Sequence, residues 1–171
     1  MDPYQQFLKA CKEGVISNID TLMNHPDVVA KISQGNFEFI SYISRSPKKI
    51  ELLKHVLKID IIKANLAQHG AKALLMGVKC GKEIFRQLFD ISEVRDSATA
   101  NYNEALVQAA SYGHTEIFQM LWKLPEVIEY DPQMYGNRAL VNAAYASNKE
   151  IFELLWNIPK IKSGAADNDN A

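Results

Sequence analysis

The sequence predicts an all-α fold, a solenoid of about five stacked helix-turn-helix repeats. The first observation is a period, because residues 103–127 and 137–161 coincide when one is shifted by 34 residues. The coinciding pairs are Ala105/Ala139, Leu106/Leu140, Ala109/Ala143, Ala110/Ala144, Ile117/Ile151, Phe118/Phe152, Leu121/Leu155, Trp122/Trp156 and Pro125/Pro159. The second observation is that the apolar residues follow helical spacing. A fixed period of about 20–50 residues is typical of repeat arrays, which bind partners more often than they catalyse.

Earlier copies of the repeat are progressively weaker. At a shift of 99 the first copy agrees with the fourth in residue class at seven spaced positions, and the third copy agrees at a shift of 33 in its second half and of 32 in its first half. The second copy keeps only its apolar positions. The predicted repeat domain covers residues 1–162, and its repeats span about residues 4–28, 36–57, 70–94, 103–127 and 137–161. The tail, residues 163–171, is small, polar and acidic, and is predicted to be disordered.

The fourth repeat shows how each copy is expected to form two short helices. Gly113 ends the first helix because glycine accepts a positive φ. Thr115 is predicted to cap the second helix, and Pro125 to close it, because proline cannot continue the hydrogen-bond ladder. The alanine pairs let first helices of neighbouring repeats approach closely, so each repeat buries its apolar face against the next.

Composition places the chain among ordinary globular proteins. Of 171 residues, 47% are hydrophobic and 23% charged, and the formal net charge is −1, which favours neither nucleic acid nor an anionic membrane as partner. The charge is uneven, since residues 1–99 carry 14 Lys and Arg against 11 Asp and Glu (+3), and residues 100–171 carry 5 against 9 (−4). With no signal peptide and no transmembrane segment apparent, we expect a cytoplasmic protein, or one secreted into a host cell cytosol.

The pattern A-L-x-x-A-A-x-x-G-H-x-E-I-x-x-x-L over residues 105–121 resembles the ankyrin repeat. Gly113-His114 and Glu116-Ile117 are its most specific part, while the T-P-L-H opening of that family is missing. Gly136, and less clearly Gly70, stand where the family has a hairpin glycine. The L-P-x-V ending of the repeats is similar to divergent arrays made by intracellular bacteria and some protists, several of which are injected effectors.

The resemblance implies a non-enzymatic scaffold without cofactors that binds a partner protein, such as a host protein, on a concave face. Hairpin tips and exposed positions of the first helices would line that face. The positions carried over are Tyr102, Gln108, Ser111, Tyr112, Met134, Tyr135, Asn142, Tyr145, Lys79 and Arg45. The tyrosines among them, at 102, 112, 135 and 145, would form an aromatic patch suited to binding. The alternative is that they pack hairpin against helix.

Other residue types point to no established chemistry. Cys11 and Cys80 lie in apolar helical patterns and are predicted to be buried thiols rather than a disulfide. No histidine pair has the i,i+4 spacing of a helical metal site, so no metal is expected. The tryptophans at 122 and 156 are expected to pack between layers. The alternative is an enzyme with a cryptic Cys/His site.

The C-terminal edge of the array is predicted to be apolar and exposed. Trp156 and Ile158 lie near the outer helix of the last repeat, and no polar capping repeat follows them. A partner protein or a second copy of the chain is expected to cover this edge, and in the second case the chain is a homodimer. A self-assembling structural repeat protein is an alternative to the partner-binding function.

Overall fold

A computed structural model describes residues 2–129 and 132–167, without the side chains of Tyr102, residues 132–135 and residues 164–167. The described residues form fifteen α-helices and no strand, so the all-α prediction is confirmed. The chain divides into two compact units, residues 1–97 and residues 98–171.

The N-terminal unit contains nine helices among its described residues, arranged as three successive triplets. In chain order they are α1 (Pro3–Glu13), α2 (Ile16–Leu22), α3 (Pro26–Ser33), α4 (Glu38–Ile43), α5 (Lys49–Val56), α6 (Asp60–Gln68), α7 (Gly70–Cys80), α8 (Lys82–Phe89) and α9 (Ser92–Arg95). First helices pack on first helices (α1 on α4, α4 on α7), and third helices pack on third helices (α3 on α6, α6 on α9). Among the second helices, α5 packs on α8.

The C-terminal unit holds two further triplets in its described part. They are α10 (Ala100–Ser111), α11 (Thr115–Trp122), α12 (Pro125–Glu129), α13 (Pro132–Tyr145), α14 (Lys149–Trp156) and α15 (Pro159–Asp167). Here α10 packs along α13, α11 contacts α14, and α15 packs on α13 and α14. We refer to the five triplets in chain order as repeats 1 to 5.

Each repeat therefore has a third helix that the helix-turn-helix prediction lacks. Pro125 does not close the second helix, since α11 already ends at Trp122 and Pro125 begins α12. Pro26 and Pro159 begin α3 and α15 in the same way. Proline suits the first position of a helix, because the N–H that it lacks would have no intrahelical partner there. The L-P-x-V ending is thus a start signal for a short helix.

Two smaller predictions are also corrected. Thr115 is the first residue of α11 and does not cap it; His114 occupies the capping position without a side-chain hydrogen bond. The predicted disordered tail is helical over residues 163–167, because α15 continues to Asp167. Residues 168–171 lie outside the described part of the chain.

The predicted hairpin tips are helical instead. Residues 101–102 lie in the first turn of α10 and residues 134–135 lie in α13. Asn101 and Asn103 have φ of 53° and 55°, a left-handed conformation that asparagine tolerates better than most residues. The buried Asn103 side chain donates from Nδ2 to the carbonyl of Val127 at 3.1 Å. That bond ties the start of α10 to α12, so a helix occupies the place of a hairpin.

Gly70 and Gly136 serve close packing between helices rather than a hairpin. Gly70 is the first residue of α7, and a Cβ added there would lie 2.5 Å from the carbonyl oxygen of Glu93 in α9. A Cβ on Gly136 would collide with the side chain of Ile161 in α15. In repeats 3 and 5 the missing side chain is what lets the third helix lie against the first.

The core consists of large apolar side chains contributed by both the first and second helices. Phe7, Phe39 and Phe85 are fully buried in the N-terminal unit, and Phe118 is fully buried in the C-terminal unit. Polar bridges join successive second helices at the surface. They are His55 to Asp20 at 2.6 Å, the ion pair of Lys49 with Glu83, and Gln119 Nε2 to Glu150 Oε1 at 2.7 Å.

Candidate functional site

In the C-terminal unit, α10 and α13 lie side by side and run in the same direction. Arg138, the seventh residue of α13, donates to the carboxylate of Glu104, the fifth residue of α10, at 2.9 Å. Near their ends, Asn148 donates from Nδ2 to the carbonyl of Gly113 at 3.1 Å. Since the two bonds join the helices in the same order along the chain, the helices are parallel and their C-terminal ends are brought together.

Two of the predicted tyrosines lie at these ends and are exposed. Tyr145 is the last residue of α13 and is 86% exposed; Tyr112 follows α10 and is 49% exposed. Ser111, also predicted, is exposed beside Tyr112. The Tyr112 ring contacts that of His114, with centroids 5.8 Å apart. We call Ser111, Tyr112 and Tyr145 the tyrosine tip.

Gln108 and Asn142 lie further back along the same helices and are half-buried. Gln108 donates from Nε2 to Glu104 Oε1 at 3.2 Å, within α10. Asn142 lines an open depression of about 380 Å³ together with Asn137, Arg138 and Val141. Both side chains therefore lie on the first helices, N-terminal to the tyrosine tip.

Three predicted binding residues fall outside the described side chains. Tyr102, Met134 and Tyr135 have helical backbones in α10 and α13, and the structure describes their backbones alone. The four-tyrosine patch is therefore described in part, through Tyr112 and Tyr145.

The corresponding helix ends in the N-terminal unit are basic. Arg45 and Lys79 are both exposed, at the ends of the neighbouring helices α4 and α7. Both lie close enough to Cys80 to act on its thiol through their charge, and the Arg45 guanidinium lies 5.8 Å from the centre of the Tyr42 ring. Arg45 and Lys79 occupy the same repeat position, at a shift of 34. The buried residues Ala73, Leu74, Gly77 and Val78 match Ala105, Leu106, Ala109 and Ala110 at a shift of 32, so the next copies of that position are Ser111 and, 34 residues later, Tyr145.

The two cysteines are free thiols in different settings. Cys11 is fully buried, and burial raises its pKa to about 12. Cys80 is half-buried; burial raises its pKa as well, opposed by a hydrogen bond with Ser44 and by the charges of Lys79 and Arg45. A thiol that stays protonated at neutral pH is a poor nucleophile, so neither site resembles an activated cysteine.

Cys80 is expected to react with Ellman's reagent before Cys11 does, because Cys80 is half-buried and Cys11 is fully buried.

The raised pKa of Cys11 has a consequence for stability. The thiol has a pKa of about 8.5 in the unfolded chain, while in the folded chain it stays protonated up to about pH 12. The free energy of unfolding should therefore fall as the pH rises through this interval. Urea titrations at pH 7.5 and 9.5, roughly one unit either side of the pKa of the unfolded thiol, test this fall in the free energy of unfolding, with Cys11→Ala as control. A wild-type loss no larger than that of the variant would contradict it.

The described part of the chain contains no candidate metal site. Within residues 2–129 and 132–167, no group of three or more histidine, cysteine and acidic side chains is placed to hold a metal ion. His55 pairs with Asp20, and His25 accepts a hydrogen bond from the backbone N–H of Asp27 at 3.3 Å. Across these same ranges, no helix is both long and apolar enough to cross a bilayer.

The tryptophans pack against phenylalanines one turn earlier on their own helices. Trp122 is half-buried and stacks on Phe118 with ring centroids 5.7 Å apart. Trp156 stacks on Phe152 at 5.8 Å but is 37% exposed, and the Lys162 ammonium lies 5.7 Å from the centre of its ring. Trp122 thus has the packing role that was expected, whereas Trp156 is shared between packing and surface.

Comparison of the chain with protein-family models, with curated proteins and with solved structures gave no significant match. The resemblance to the ankyrin repeat therefore rests on the residues quoted above. It stays a prediction.

Proposed function

We propose that this chain is a non-enzymatic protein-interaction module, a divergent ankyrin-like array that binds a partner protein through the tyrosine tip. The observation that carries the proposal is the exposure of Tyr145 and Tyr112 at the ends of two parallel, adjacent helices. The helices are joined by the Arg138–Glu104 bond along their length and by the Asn148 bonds just beyond their C-terminal ends, so the tip is held in place before a partner arrives.

Tyrosine is well suited to such a surface. Its ring offers a large contact area with few rotatable bonds, and its hydroxyl can hydrogen-bond to a partner. A tyrosine that packs its own fold is largely buried, and Tyr145 is not. Tyr112 is steadied by its ring contact with His114, which lowers the entropy lost when a partner orders it. These two facts favour binding over the packing alternative.

The net negative charge of the C-terminal unit favours a partner with basic residues. Residues 98–171 carry five Lys and Arg against nine Asp and Glu, a net charge of −4. A partner segment with apolar anchors flanked by basic residues fits this unit, because opposite charge raises the association rate and disfavours acidic competitors. We further propose that the partner is a host protein and that this chain acts as an effector, on the likeness of its L-P-x-V repeats to effector arrays.

Replacing Tyr112 and Tyr145 together with alanine is expected to weaken partner binding by more than about 2 kcal/mol, the range of a binding hot spot. Thermal unfolding should shift little, because both side chains are largely exposed. Partners are first captured on the wild-type chain from a eukaryotic lysate, set beside a bacterial lysate, and the captured protein is then titrated by calorimetry.

Tyr145→Phe is the matched control, since it keeps the ring and its contact area. Retained affinity in Tyr145→Phe with loss in the double alanine variant supports the tip as the binding site. A double variant that binds as well as wild type would refute it, and one that loses its fold would assign the tyrosines to packing.

A further inference from the structure

Repeats 4 and 5 differ in exposure at residues that their sequences make equivalent. In repeat 4, Val107 is 2% exposed and Ala110 is fully buried, since α13 packs along α10. At the same positions of repeat 5, Val141 is 52% exposed and Ala144 is exposed. The surface of α13 that corresponds to a buried packing surface on α10 is therefore open.

The second helices show the same difference. Phe118 on α11 is fully buried, but its equivalent Phe152 on α14 is only half-buried. Beside it lies an open pocket of about 180 Å³, lined by Ala143, Ala144, Ser147, Asn148, Lys149 and Phe152. In repeat 4 the matching place is filled, because Asn148 of repeat 5 donates to the Gly113 carbonyl and to the Thr115 hydroxyl at 2.8 Å. We call Val141, Ala144, Ser147, Lys149 and Phe152 the trailing face.

The trailing face thus corresponds to the surface of repeat 4 on which repeat 5 packs. A ligand that fits it is a pair of packed helices, because that is what covers the equivalent surface of repeat 4. Exposed apolar surface of this type is rare on monomers and marks interaction sites.

The leading face of repeat 1 has the opposite character. Gln6 stands where repeat 4 has the buried Ala105, and Asn18 stands where it has the buried Ile117. These polar residues line an open pocket of about 490 Å³ that also includes Lys9, Glu13 and Thr21. A trailing face docked here would take the Asn18 amide out of water against the apolar side chains Val141 and Phe152, which is unfavourable. Head-to-tail stacking of copies is therefore disfavoured.

The trailing face is instead compatible with itself. Lys149 and Glu153 lie on α14 with their charged groups 3.5 Å apart, and their side chains are 84% and 59% exposed. Their equivalents in repeat 4, Thr115 and Gln119, both bond to repeat 5. A face that carries one cation and one anion at contact positions can pair each with the other across a two-fold axis.

We infer that two copies of this chain associate through their trailing faces, in a closed two-fold dimer that buries Val141, Ala144 and Phe152 of each. The trailing face shares no residue with the tyrosine tip, and the inference does not depend on the proposed function.

The first test is the solution mass by sedimentation velocity across the micromolar range. The expected result is a reversible monomer–dimer equilibrium that stops at the dimer, because an isologous contact closes. Val141→Glu should raise the dimer dissociation constant by at least about 100-fold, since it buries a charge without a dedicated partner. The matched control is Val15→Glu, at another exposed valine (36%) in the N-terminal unit, which should leave the equilibrium unchanged.

Disulfide trapping supplies a second readout that does not depend on how well the charged variant folds. Ser147→Cys chains should cross-link to each other under mild oxidation, and Lys9→Cys chains on the leading face should not. A chain that stays monomeric and uncross-linked throughout overturns the inference. So do a mass that keeps growing beyond the dimer and a mixed cross-link between Ser147→Cys and Lys9→Cys chains, because both mean head-to-tail stacking.

Discussion

Replacing Phe118 with alanine is expected to lower the free energy of unfolding by about 3–5 kcal/mol. The ring is fully buried and stacks on Trp122 with an interplanar angle of 10°. Its removal loses the transfer free energy of a large apolar side chain and leaves a cavity, which adds to the loss. This is a large part of the total stability of a typical domain, about 5–15 kcal/mol.

Phe152→Ala is the matched control, because Phe152 occupies the same position in repeat 5 and stacks on Trp156 in the same way. It is only half-buried, so its replacement should cost clearly less in dilute solution. Urea denaturation followed by circular dichroism, at a concentration where the chain is monomeric, measures both. Equal losses would contradict the inequality between the two repeats from which the trailing face is inferred.

Gly70→Ala is expected to destabilise the N-terminal unit by about 3 kcal/mol, at the upper end of overpacking effects. The new methyl group would lie 2.5 Å from the Glu93 carbonyl oxygen and 2.5 Å from Ser97 Oγ. The first of these is a backbone atom, so relief requires α9 to move away from α7. That movement separates the first and third helices of repeat 3 and loosens the packing around Val94, which is fully buried.

Gly136→Ala tests whether the backbone contact is what makes Gly70 costly. Its added methyl group would meet the flexible end of Ile161 rather than a carbonyl, so a rotamer change can relieve part of the clash. We expect a smaller loss, partly restored by Ile161→Val. Thermal unfolding of the two glycine variants, side by side, decides the point; if Gly70→Ala melts like wild type, the close approach of α7 and α9 is wrong.

The sequence was most informative where packing imposes a period. Ala109 and Ala110 recur 34 residues later as Ala143 and Ala144 because first helices must approach closely, and this repetition is legible in the amino-acid order alone. The same period predicted the second helices through Ile117 and Phe118. All of these are constraints on the buried side of a helix, which a sequence records directly.

The third helices were missed because one residue type has two opposite local effects. Proline ends a helix when it falls inside one and favours a helix when it falls at the first position. Pro125 was interpreted in the first sense and acts in the second. The signal that could have decided was the apolar residue two positions later, Val127, which is fully buried and faces the core from α12.

Exposure at the candidate sites could be predicted only in part. Alignment placed Arg45, Lys79, Tyr112 and Tyr145 at helix ends, and all four are exposed. It could not separate them from Gln108, which is half-buried beside Glu104. The apolar edge was expected at Trp156 and Ile158, and exposure is greater at Val141, because the period says which residues are alike and not which of them has a neighbour to cover it.

The helix-end position occupied in turn by Arg45, Lys79, Ser111 and Tyr145 has a consequence for how this chain can change over generations. The four side chains at that position are exposed, while the phenylalanines and alanines that hold the repeats together lie elsewhere on the same helices. Mutation there is almost free of penalty for folding, so selection can swap a cation for an aromatic ring one repeat at a time. The residues that determine the fold and the residues that contact a partner are therefore different. A single codon change at this position can give the chain a new target while its fold is kept.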